Sequence, residues 1–164
     1  MMKLIVAVSE NWGIGKDNNL LFNIPKDMKF FRETTTGKVV ILGRKNLESF
    51  PGARPLKNRI NVILTRNKDF ECEGAVICTD IQEVLELPYD REDMFVIGGE
   101  EIYKQMLKYC DTCYITKVKA TVPADKFMVN LDESDEWELT ETSEEIEDNG
   151  YIIKFCKYER IVKL

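Results

Sequence analysis

Asp27 stands on the apolar side of a predicted helix, which is an unusual place for a carboxylate. Residues 25–33 read Pro-Lys-Asp-Met-Lys-Phe-Phe-Arg-Glu, and the leading proline is typical of a first helical turn. On a helical wheel, Asp27 falls between Phe30 and Phe31. The opposite side carries the charged residues Lys26, Lys29, Arg32 and Glu33. An aspartate in a first turn is also favoured by the helix dipole, so the pattern alone leaves a purely structural role open.

The cost of burying a charge favours a functional role for Asp27. An unpaired buried carboxylate is strongly unfavourable unless a hydrogen-bond donor reaches it. A flat heterocycle with two adjacent N–H donors would satisfy it through a bidentate, charge-assisted pair. Pterins and pyrimidines present such an edge, so we predict that Asp27 binds one of them and that burial raises its pKa.

Three predicted strand ends carry glycine or cations that suit a phosphorylated ligand. These junctions are Gly43-Arg44-Lys45, Leu64-Thr65-Arg66 and Gly98-Gly99. Free N–H groups at a helix start, together with arginine or lysine, bind anions. Each junction alone is weak, because glycine often serves merely to turn the chain. Together, at the carboxyl ends of one sheet, they indicate a dinucleotide in the crevice beyond the strands. Neither GxGxxG nor GxxxxGK occurs, which disfavours an ordinary Rossmann domain or P-loop.

The elements that must position these residues alternate between strands and helices. The strand-like runs are Leu4–Val8, Val39–Leu42, Ile60–Leu64, Ala75–Cys78, Met94–Ile97 and Cys113–Val118. The helical candidates are Lys26–Thr35, Arg44–Phe50, Ile81–Leu87 and Glu100–Leu107. Apolar strands separated by helices predict a mostly parallel sheet that is covered on both faces.

The end of the chain predicts an antiparallel addition to that sheet. The strand-like runs 137–146 and 151–161 flank Asn149-Gly150, which tolerates the positive φ angles of a type I′ turn. The predicted fold is therefore α/β, with a mixed, mostly parallel central sheet of about eight strands, flanking helices and a C-terminal antiparallel hairpin. With no linker or repeat, residues 1–164 are predicted to form a single domain.

The segment Ser9–Ile24 has no periodicity and contains Gly13 and Gly15. A loop of about sixteen residues within a compact domain is usually a functional lid or binding loop. A plain surface excursion is the alternative. Because the segment leads directly into the Asp27 helix, we interpret it as a lid.

Composition excludes several classes of protein. The 164 residues are 44% hydrophobic and 32% charged, as in a soluble globular protein. No apolar run approaches the ~20 residues of a membrane span. The short apolar N-terminus lacks a signal-peptide cleavage site, so we expect a cytoplasmic protein without a membrane partner.

The cysteines and the absence of histidine limit metal and nucleophile chemistry. Cys110 and Cys113 form a CxxC motif, but a zinc site needs two further ligands and the chain has no histidine. We therefore expect no metal, and interpret the pair as reduced thiols that bracket a turn. The same absence removes every Ser-His and Cys-His catalytic arrangement.

The net charge of −6 is unevenly distributed. Residues 127–153 hold ten acids and no lysine or arginine, so subtracting that −10 leaves the remainder at +4. An acidic segment of this size argues against nucleic acid as a partner. The basic remainder suits a small phosphorylated ligand.

Over essentially the whole chain, these residues resemble the dihydrofolate reductase family of the bacterial, single-domain type. The blocks that carry the resemblance are Ile14-Gly15, Asn23-Ile24-Pro25-Lys26-Asp27, Phe31, Gly43-Arg44, Glu48-Ser49, Leu64-Thr65-Arg66, Ile97-Gly98-Gly99, Ile102-Tyr103 and Thr116. Their order and spacing are much more specific than any single block.

The resemblance implies a pterin site around Asp27. Asp27 would be the catalytic residue, gripping the amino group and ring nitrogen of the pterin, with Thr116 as its hydrogen-bond partner. Arg59 would pair with the substrate's glutamate carboxylate. The remaining substrate-binding residues would be Ile5, Val6, Ala7, Leu20, Met28, Phe31, Phe50, Leu56 and Ile97. Plain core packing for Phe31, Phe50 and Leu56, a surface ion pair for Arg59 and an ordinary strand role for Thr116 are the alternatives.

The resemblance also implies NADPH as the cofactor. Arg44, Thr65 and Arg66 would read its 2′-phosphate, while Gly98, Gly99 and Tyr103 would line its pyrophosphate and nicotinamide. The other cofactor-binding residues would be Ala7, Ile14, Gly15, Leu20, Gly43, Lys45, Asn46, Leu64, Glu101 and Ile102. A packing role for Tyr103 is the alternative.

The implied reaction is the reduction of 7,8-dihydrofolate to tetrahydrofolate in one-carbon metabolism. The hydride passes from nicotinamide C4 to C6 of the substrate while water protonates N5. The expected partners are dihydrofolate and antifolate inhibitors, and the chain is expected to be a monomer. A riboflavin-pathway pyrimidine reductase with a similar fold and a non-catalytic NADPH- or folate-binding module are the two rival interpretations.

Four departures from the family pattern predict altered affinities rather than lost activity. Leu21-Phe22 replaces the usual Pro-Trp, and phenylalanine has no indole N–H to hold a water beside the pterin. The proline that usually follows Leu56 is missing. Asn46 replaces a common threonine, and Glu101 puts an acid near the phosphates.

Overall fold

The protein forms twelve β-strands and four α-helices within residues 1–161, the part of the chain that the computed structural model describes. The strands are β1 Met2–Val8, β2 Gly13–Lys16, β3 Asn19–Leu20, β4 Val39–Gly43, β5 Ile60–Leu64, β6 Ala75–Cys78, β7 Met94–Gly98, β8 Cys110–Val118, β9 Lys126–Phe127, β10 Trp137–Thr142, β11 Ile146–Asp148 and β12 Tyr151–Arg160. The helices are α1 Pro25–Thr35, α2 Arg44–Glu48, α3 Ile81–Leu85 and α4 Glu100–Met106. Residues 162–164, which belong to the predicted domain, lie outside the described range.

The central sheet has the order β10-β12-β8-β1-β7-β4-β5-β6. Its six strands from β8 to β6 are parallel to their neighbours, whereas β12 runs antiparallel to both β8 and β10. The short strand β11 pairs with β12 and brings the sheet to nine strands. The predicted mixed, mostly parallel α/β sheet is confirmed.

Alternate residues of the central strands fill separate cores. In β4, Val40 and Leu42 belong to a cluster that also contains Phe30 and Phe31 of α1. Val39 and Ile41 belong to the larger cluster, which includes Tyr103 of α4 and Met106. Since successive strand residues point to opposite faces, the sheet is covered on both sides.

Two predicted helices end earlier than expected because each meets a proline. Helix α2 ends at Glu48 rather than Phe50, and Phe50 is extended, with φ −77° and ψ 152°, immediately before Pro51. Helix α3 ends at Leu85 rather than Leu87, which precedes Pro88. A proline disfavours the helical conformation of the residue before it, so both shortenings have the same cause.

The interpretation of Cys110 and Cys113 as thiols bracketing a turn is wrong. Strand β8 begins at Cys110 and contains both side chains, which are buried. Burial raises the pKa of the Cys110 thiol to about 12 and also raises that of Cys113. All five cysteines are unpaired, and residues 1–161 contain no group of three or more side chains suited to hold a metal ion.

The segment 9–24, which we call the lid, is more regular than predicted. Strands β2 and β3 form a hairpin within it, and β2 also pairs with β9, which gives a small three-stranded antiparallel sheet in the order β3-β2-β9. Asp17 and Asn18 have φ of 51° and 63° at the tip of the hairpin. Aspartate and asparagine tolerate this left-handed backbone, so the tip fits its sequence.

The predicted strand 137–146 is divided into β10 and β11. Between them, the backbone N–H of Ser143 donates to Phe155 O, while the Ser143 hydroxyl accepts from Phe155 N at 2.8 Å. The hydroxyl substitutes for a ladder carbonyl and allows the chain to bend.

No helix among residues 1–161 is long and apolar enough to cross a membrane.

Candidate active site

Helix α1, which carries Asp27, is capped at its N-terminus by residues of a turn that is distant in sequence. Ile24 at the cap position offers no side-chain hydrogen bond. Instead, the Asp148 carboxylate accepts from the backbone N–H of Lys26 at 2.8 Å, and the Asn149 amide donates to Asn23 O at 2.6 Å. The β11–β12 turn therefore holds the first turn of α1, which begins at Pro25, two residues before Asp27.

We predict that Asp148→Ala lowers the free energy of unfolding by about 1 kcal/mol, the usual cost of losing a helix cap. Because the cap adjoins Asp27, substrate affinity should fall as well. Urea denaturation and substrate titration measure the two effects. Asp135→Ala, which removes an exposed acid from the same acidic segment, is the matched control. Equal stabilities of the two variants would contradict the capping role.

Asp27 faces the sheet and receives one hydrogen bond there. The hydroxyl of Thr116, itself only 2% exposed on β8, donates to Asp27 Oδ1 at 2.6 Å. Burial raises the pKa of the Asp27 carboxyl above its ordinary 3.8, while the Thr116 hydrogen bond acts in the opposite direction. No lysine or arginine within residues 1–161 forms an ion pair with Asp27. The site therefore contains a half-buried carboxylate whose charge is not compensated.

Most of the predicted pterin wall belongs to one apolar cluster beside α1. The members that the structure brings together there are Ile5, Phe31, Phe50, Leu56 and Ile97. Ala7 pairs in register with Thr116. Val6 packs against the cluster on the other face of the sheet. Met28 and Leu20 stand apart, with 56% and 79% of their surface exposed. Neither side chain belongs to the apolar cluster, so packing within the chain gives no support for their predicted contacts with a ligand.

The surroundings of the Arg59 guanidinium suit the binding of an anion. Its guanidinium lies 5.7 Å from the centre of the Phe31 ring, and its Nε is buried without a hydrogen-bond partner among residues 1–161. Burial, and after it the positive charge of Arg32, lowers the pKa of Arg59. An orphaned guanidinium N–H beside an aromatic wall suits a carboxylate that arrives with a ligand.

The backbone that presents Leu56 and Arg59 is held by Asn61, a residue that sequence reasoning missed. The Asn61 side chain is 1% exposed, accepts from Leu56 N at 2.9 Å and donates to Leu56 O at 2.9 Å. It also donates to Arg59 O at 3.3 Å. These bonds order the loop in which the usual proline is missing. A buried asparagine in a predicted strand was the available signal, because such a group needs local partners.

The three predicted junctions come together at the carboxyl ends of β4, β5 and β7. Gly43 pairs with Leu64, and Leu42 pairs with Gly98, so the residues that follow leave the sheet at one edge. Arg44 lies 5.3 Å from the Phe70 ring centre, and its Nε donates to Glu48 at 2.7 Å. Thr65 is half-buried. The charged residues Lys45 and Arg66 of the junctions are exposed, and so is the nearby Glu101 of α4.

Gly98 forms a cradle that a larger residue would fill. Its φ is +126°, and a Cβ there would lie 3.2 Å from the Tyr103 hydroxyl and 3.4 Å from Asn46 Nδ2. The Asn46 amide itself donates to Ile97 O at 3.4 Å. A Cβ on Gly43 would similarly meet Ile102 at 3.0 Å. Bare backbone at two adjacent strand ends suits close approach by a dinucleotide.

Tyr103 is committed to packing as well as to the site. Its side chain is buried, and its hydroxyl donates to Ile5 O at 2.9 Å. Burial raises the pKa of this phenol far above its ordinary value, so Tyr103 stays protonated. It links helix α4, which follows Gly98-Gly99, to the strand that carries Ile5 and Ala7.

Phe22, one of the departures from the family pattern, packs on Tyr151 at the start of β12. Its ring lies 5.1 Å from that of Tyr151, at an interplanar angle of 74°. The pair belongs to a small cluster around Ile24, Val118 and Ile153. Phe22 therefore anchors the end of the lid without offering a polar group.

The lid residues Ile14 and Gly15 lie in β2 and are buried. Their position depends on residues that the sequence did not single out. Asp125 N donates to Gly15 O at 3.0 Å, and Asp17 N donates to the Asp125 carboxylate at 3.0 Å. These partners are more than a hundred residues apart, and no local pattern could have indicated them.

Comparisons with known proteins cover nearly the whole chain. The sequence profile of the family described as dihydrofolate reductase matches residues 1–160. The dihydrofolate reductase of Bacillus subtilis (strain 168) is 35% identical over 162 residues, covering 98% of this chain and 95% of that protein. The dihydrofolate reductase of Staphylococcus haemolyticus is 38% identical over 164 residues, covering 98% and 96%.

A solved structure gives the same result. Dihydrofolate reductase from Enterococcus faecalis, complexed with NADP(H) and RAB-propyl, superposes with a TM-score of 0.87 at 33% identity. The alignment covers 98% of this chain and 96% of that one. Fold and relatives define an α/β oxidoreductase. The profile match and the extent of these identities show that the chain belongs to the dihydrofolate reductase family, as its sequence motifs indicated.

Proposed function

We propose that this chain reduces 7,8-dihydrofolate to 5,6,7,8-tetrahydrofolate with NADPH, and that Asp27 holds the pterin during the reaction. The observation that carries the proposal is the uncompensated carboxylate of Asp27, half-buried and held by Thr116 at 2.6 Å. A ligand with two adjacent N–H donors would compensate this charge. The relatives of the chain are named dihydrofolate reductases, and the solved structure of one such enzyme is a complex with NADP(H).

Asp27 acts by orientation and charge. It accepts hydrogen bonds from the exocyclic amino group and ring N–H of the pterin, which places the flat ring against Phe31 and Ile5. Its negative charge raises the basicity of the substrate's N5. The proton that reaches N5 comes from water, and Phe22 offers no N–H to hold that water beside the pterin. Arg59 binds the glutamate carboxylate and fixes the far end of the substrate.

The residues around Gly98 fit a dinucleotide. Gly98 and Gly99 would face its pyrophosphate, and Arg44, Thr65 and Arg66 would face the 2′-phosphate. Ile14, Gly15 and Ala7 would surround the nicotinamide from the lid and from β1. NADPH bound there supplies the hydride that is added to C6 of the substrate.

We predict that Arg44→Leu raises the Kd of NADPH by ~10-fold while leaving that of NADH within about twofold. A charge-assisted contact with an exposed phosphate is worth roughly 1.4 kcal/mol, which is tenfold in affinity. Fluorescence titration with both nucleotides measures the effect. Lys68→Leu removes an exposed cation from the neighbouring loop and serves as the control. Equal losses for both nucleotides would remove Arg44 from the 2′-phosphate site.

The direct test mixes protein, NADPH and dihydrofolate and follows the loss of reduced-nicotinamide absorbance. Turnover with dihydrofolate but not with a ribosyl-phosphate pyrimidine supports the proposal. Preference for the pyrimidine would favour the riboflavin-pathway reductase. Binding of both ligands without NADPH consumption would favour a non-catalytic module.

We further propose that residues 1–164 act as one monomeric domain in the cytoplasm. One continuous central sheet within the described residues supports a single unit. Five unpaired cysteines within the described chain support a reducing compartment. Diaminopyrimidine antifolates would occupy the Asp27 site, and neither nucleic acid nor a membrane would be a partner.

A further inference from the structure

Glu100 makes a contact that the reaction described above does not use. It is the first residue of α4, directly after Gly98-Gly99, and its side chain is only 16% exposed. Its Oε2 accepts from the backbone N–H of Phe127 at 2.7 Å, and Lys104 Nζ lies 3.6 Å from Oε1. A carboxylate so shielded is held in place by a specific donor on another element.

That donor belongs to the small sheet which carries the lid. In β9, Phe127 pairs with Gly13, and Lys126 pairs with Gly15. The next residue, Met128, donates its N–H to Trp12 O at 2.9 Å. With the bonds of Asp125 to Gly15 and Asp17, the whole stretch 125–128 is fastened to the lid.

Glu100 therefore joins two groups of residues that would contact opposite sides of one ligand. Behind it in the chain lie Gly98 and Gly99, and across its hydrogen bond lie Ile14 and Gly15. Charge-assisted hydrogen bonds are about twice as strong as neutral ones. This bond is therefore a direct polar link between the two groups.

We propose that Glu100 is a positioning residue that fixes the three-stranded sheet against the Gly98-Gly99 junction, so that NADPH binding and ordering of the lid are coupled. The inference rests on the proposed function, because it takes NADPH as the ligand of that junction. Linkage requires the coupling to be reciprocal: if NADPH orders the lid, an untethered lid weakens NADPH binding.

The test compares Glu100→Ala and Glu100→Gln with Glu92→Ala, which removes an exposed acid from a turn away from the site. Backbone amide exchange of residues 13–16 and 125–128 is measured with and without NADPH, and the Kd of NADPH is determined by titration. In the unmodified protein, NADPH should slow exchange in both segments. In Glu100→Ala that protection should be lost and the Kd should rise ~10-fold, within the usual range of coupling between sites.

Glu100→Gln keeps an acceptor oxygen without the charge, so it should fall between Glu100→Ala and the unmodified protein. A melting temperature of Glu100→Ala close to that of Glu92→Ala would show that the loss is local. If Glu100→Ala keeps the NADPH-dependent protection and an unchanged Kd, the positioning role is overturned while the proposed function stands. If the unmodified protein does not bind NADPH, both are overturned.

Discussion

Replacing Asp27 by asparagine should lower kcat/KM for dihydrofolate by ~10²–10⁴-fold at neutral pH. The variant keeps the shape of the side chain and can still accept the Thr116 hydrogen bond. It loses the charge that forms a bidentate pair with the pterin and raises the basicity of N5. The loss corresponds to a barrier increase of about 3–5 kcal/mol. Steady-state kinetics at saturating NADPH measure it.

The Kd of NADPH is the internal control for this variant, since Asp27 is not among the residues proposed to bind NADPH. It should remain unchanged in Asp27→Asn. An unimpaired kcat/KM would contradict the role of Asp27. A parallel loss of NADPH affinity would instead indicate that the substitution disturbs the whole cleft.

Asp27→Asn should be more stable than the unmodified protein although it is less active, because the pKa of Asp27 is raised in the folded protein. A carboxyl whose folded-state pKa lies above its ordinary 3.8 contributes stability that is complete below 3.8 and is lost as the pH rises through the folded-state value. Ionisation of Asp27 at neutral pH therefore lowers the free energy of unfolding of the ligand-free protein. Asparagine does not titrate, so Asp27→Asn should melt at a higher temperature than the unmodified protein at pH 7. That advantage should shrink as the pH approaches 3.8, and thermal melts across this window measure it.

Replacing Arg59 by leucine should raise the KM for dihydrofolate by ~30-fold or more and change kcat little. Loss of one partner from a close, desolvated charge pair costs about 2–5 kcal/mol. Arg59 is suited to such a pair because its Nε is buried without a partner in the described chain. In the proposed complex it would contact the part of the substrate that does not react, so the loss should fall on binding. Steady-state kinetics separate the two parameters.

A truncated pterin without the glutamate tail provides the control for Arg59. Unmodified protein and Arg59→Leu should reduce it with equal kcat/KM, because neither then has a carboxylate to bind. Arg54→Leu, which removes an exposed arginine from the preceding loop, should resemble the unmodified protein on both substrates. An unchanged KM for dihydrofolate in Arg59→Leu would remove Arg59 from the site.

The position of Asp27 was predictable because it depends on local periodicity. A proline at the first turn fixes the phase of α1, and that phase puts Asp27 beside Phe31 and facing the sheet. The parallel strands were predictable for a similar reason, since continuous apolar runs mark strands that are buried on both faces. Once these strands are placed side by side, Gly43, Leu64 and Gly98 must end at the same edge.

The partners of Asp27 were beyond the reach of local patterns. Thr116 is 89 residues from Asp27, and its role came from the family resemblance rather than from periodicity. Asp148, which caps α1, lies 122 residues from Lys26. Ile24 has no polar side chain to cap α1, so an acceptor for the first N–H groups of the helix must come from another part of the chain. The sequence does not say which turn supplies this acceptor.

The sequence predicts an irregular loop for the lid, although one local signal of its hairpin is present. Asp17-Asn18 is a pair that tolerates positive φ, and it marks the tip of the hairpin between β2 and β3. The strands are only four and two residues long, too short for an alternating pattern to be recognised. Their third strand, β9, depends entirely on tertiary contact.

The most direct test of the account is the equilibrium binding of a 2,4-diaminopyrimidine to the unmodified protein and to Asp27→Asn at neutral pH. Such a ligand presents paired N–H donors and needs no turnover, so its affinity reports on the carboxylate alone. We predict ~100-fold weaker binding to Asp27→Asn, with NADPH affinity preserved. Equal affinities of the two proteins for the diaminopyrimidine would contradict the central claim that Asp27 binds the heterocycle through its charge.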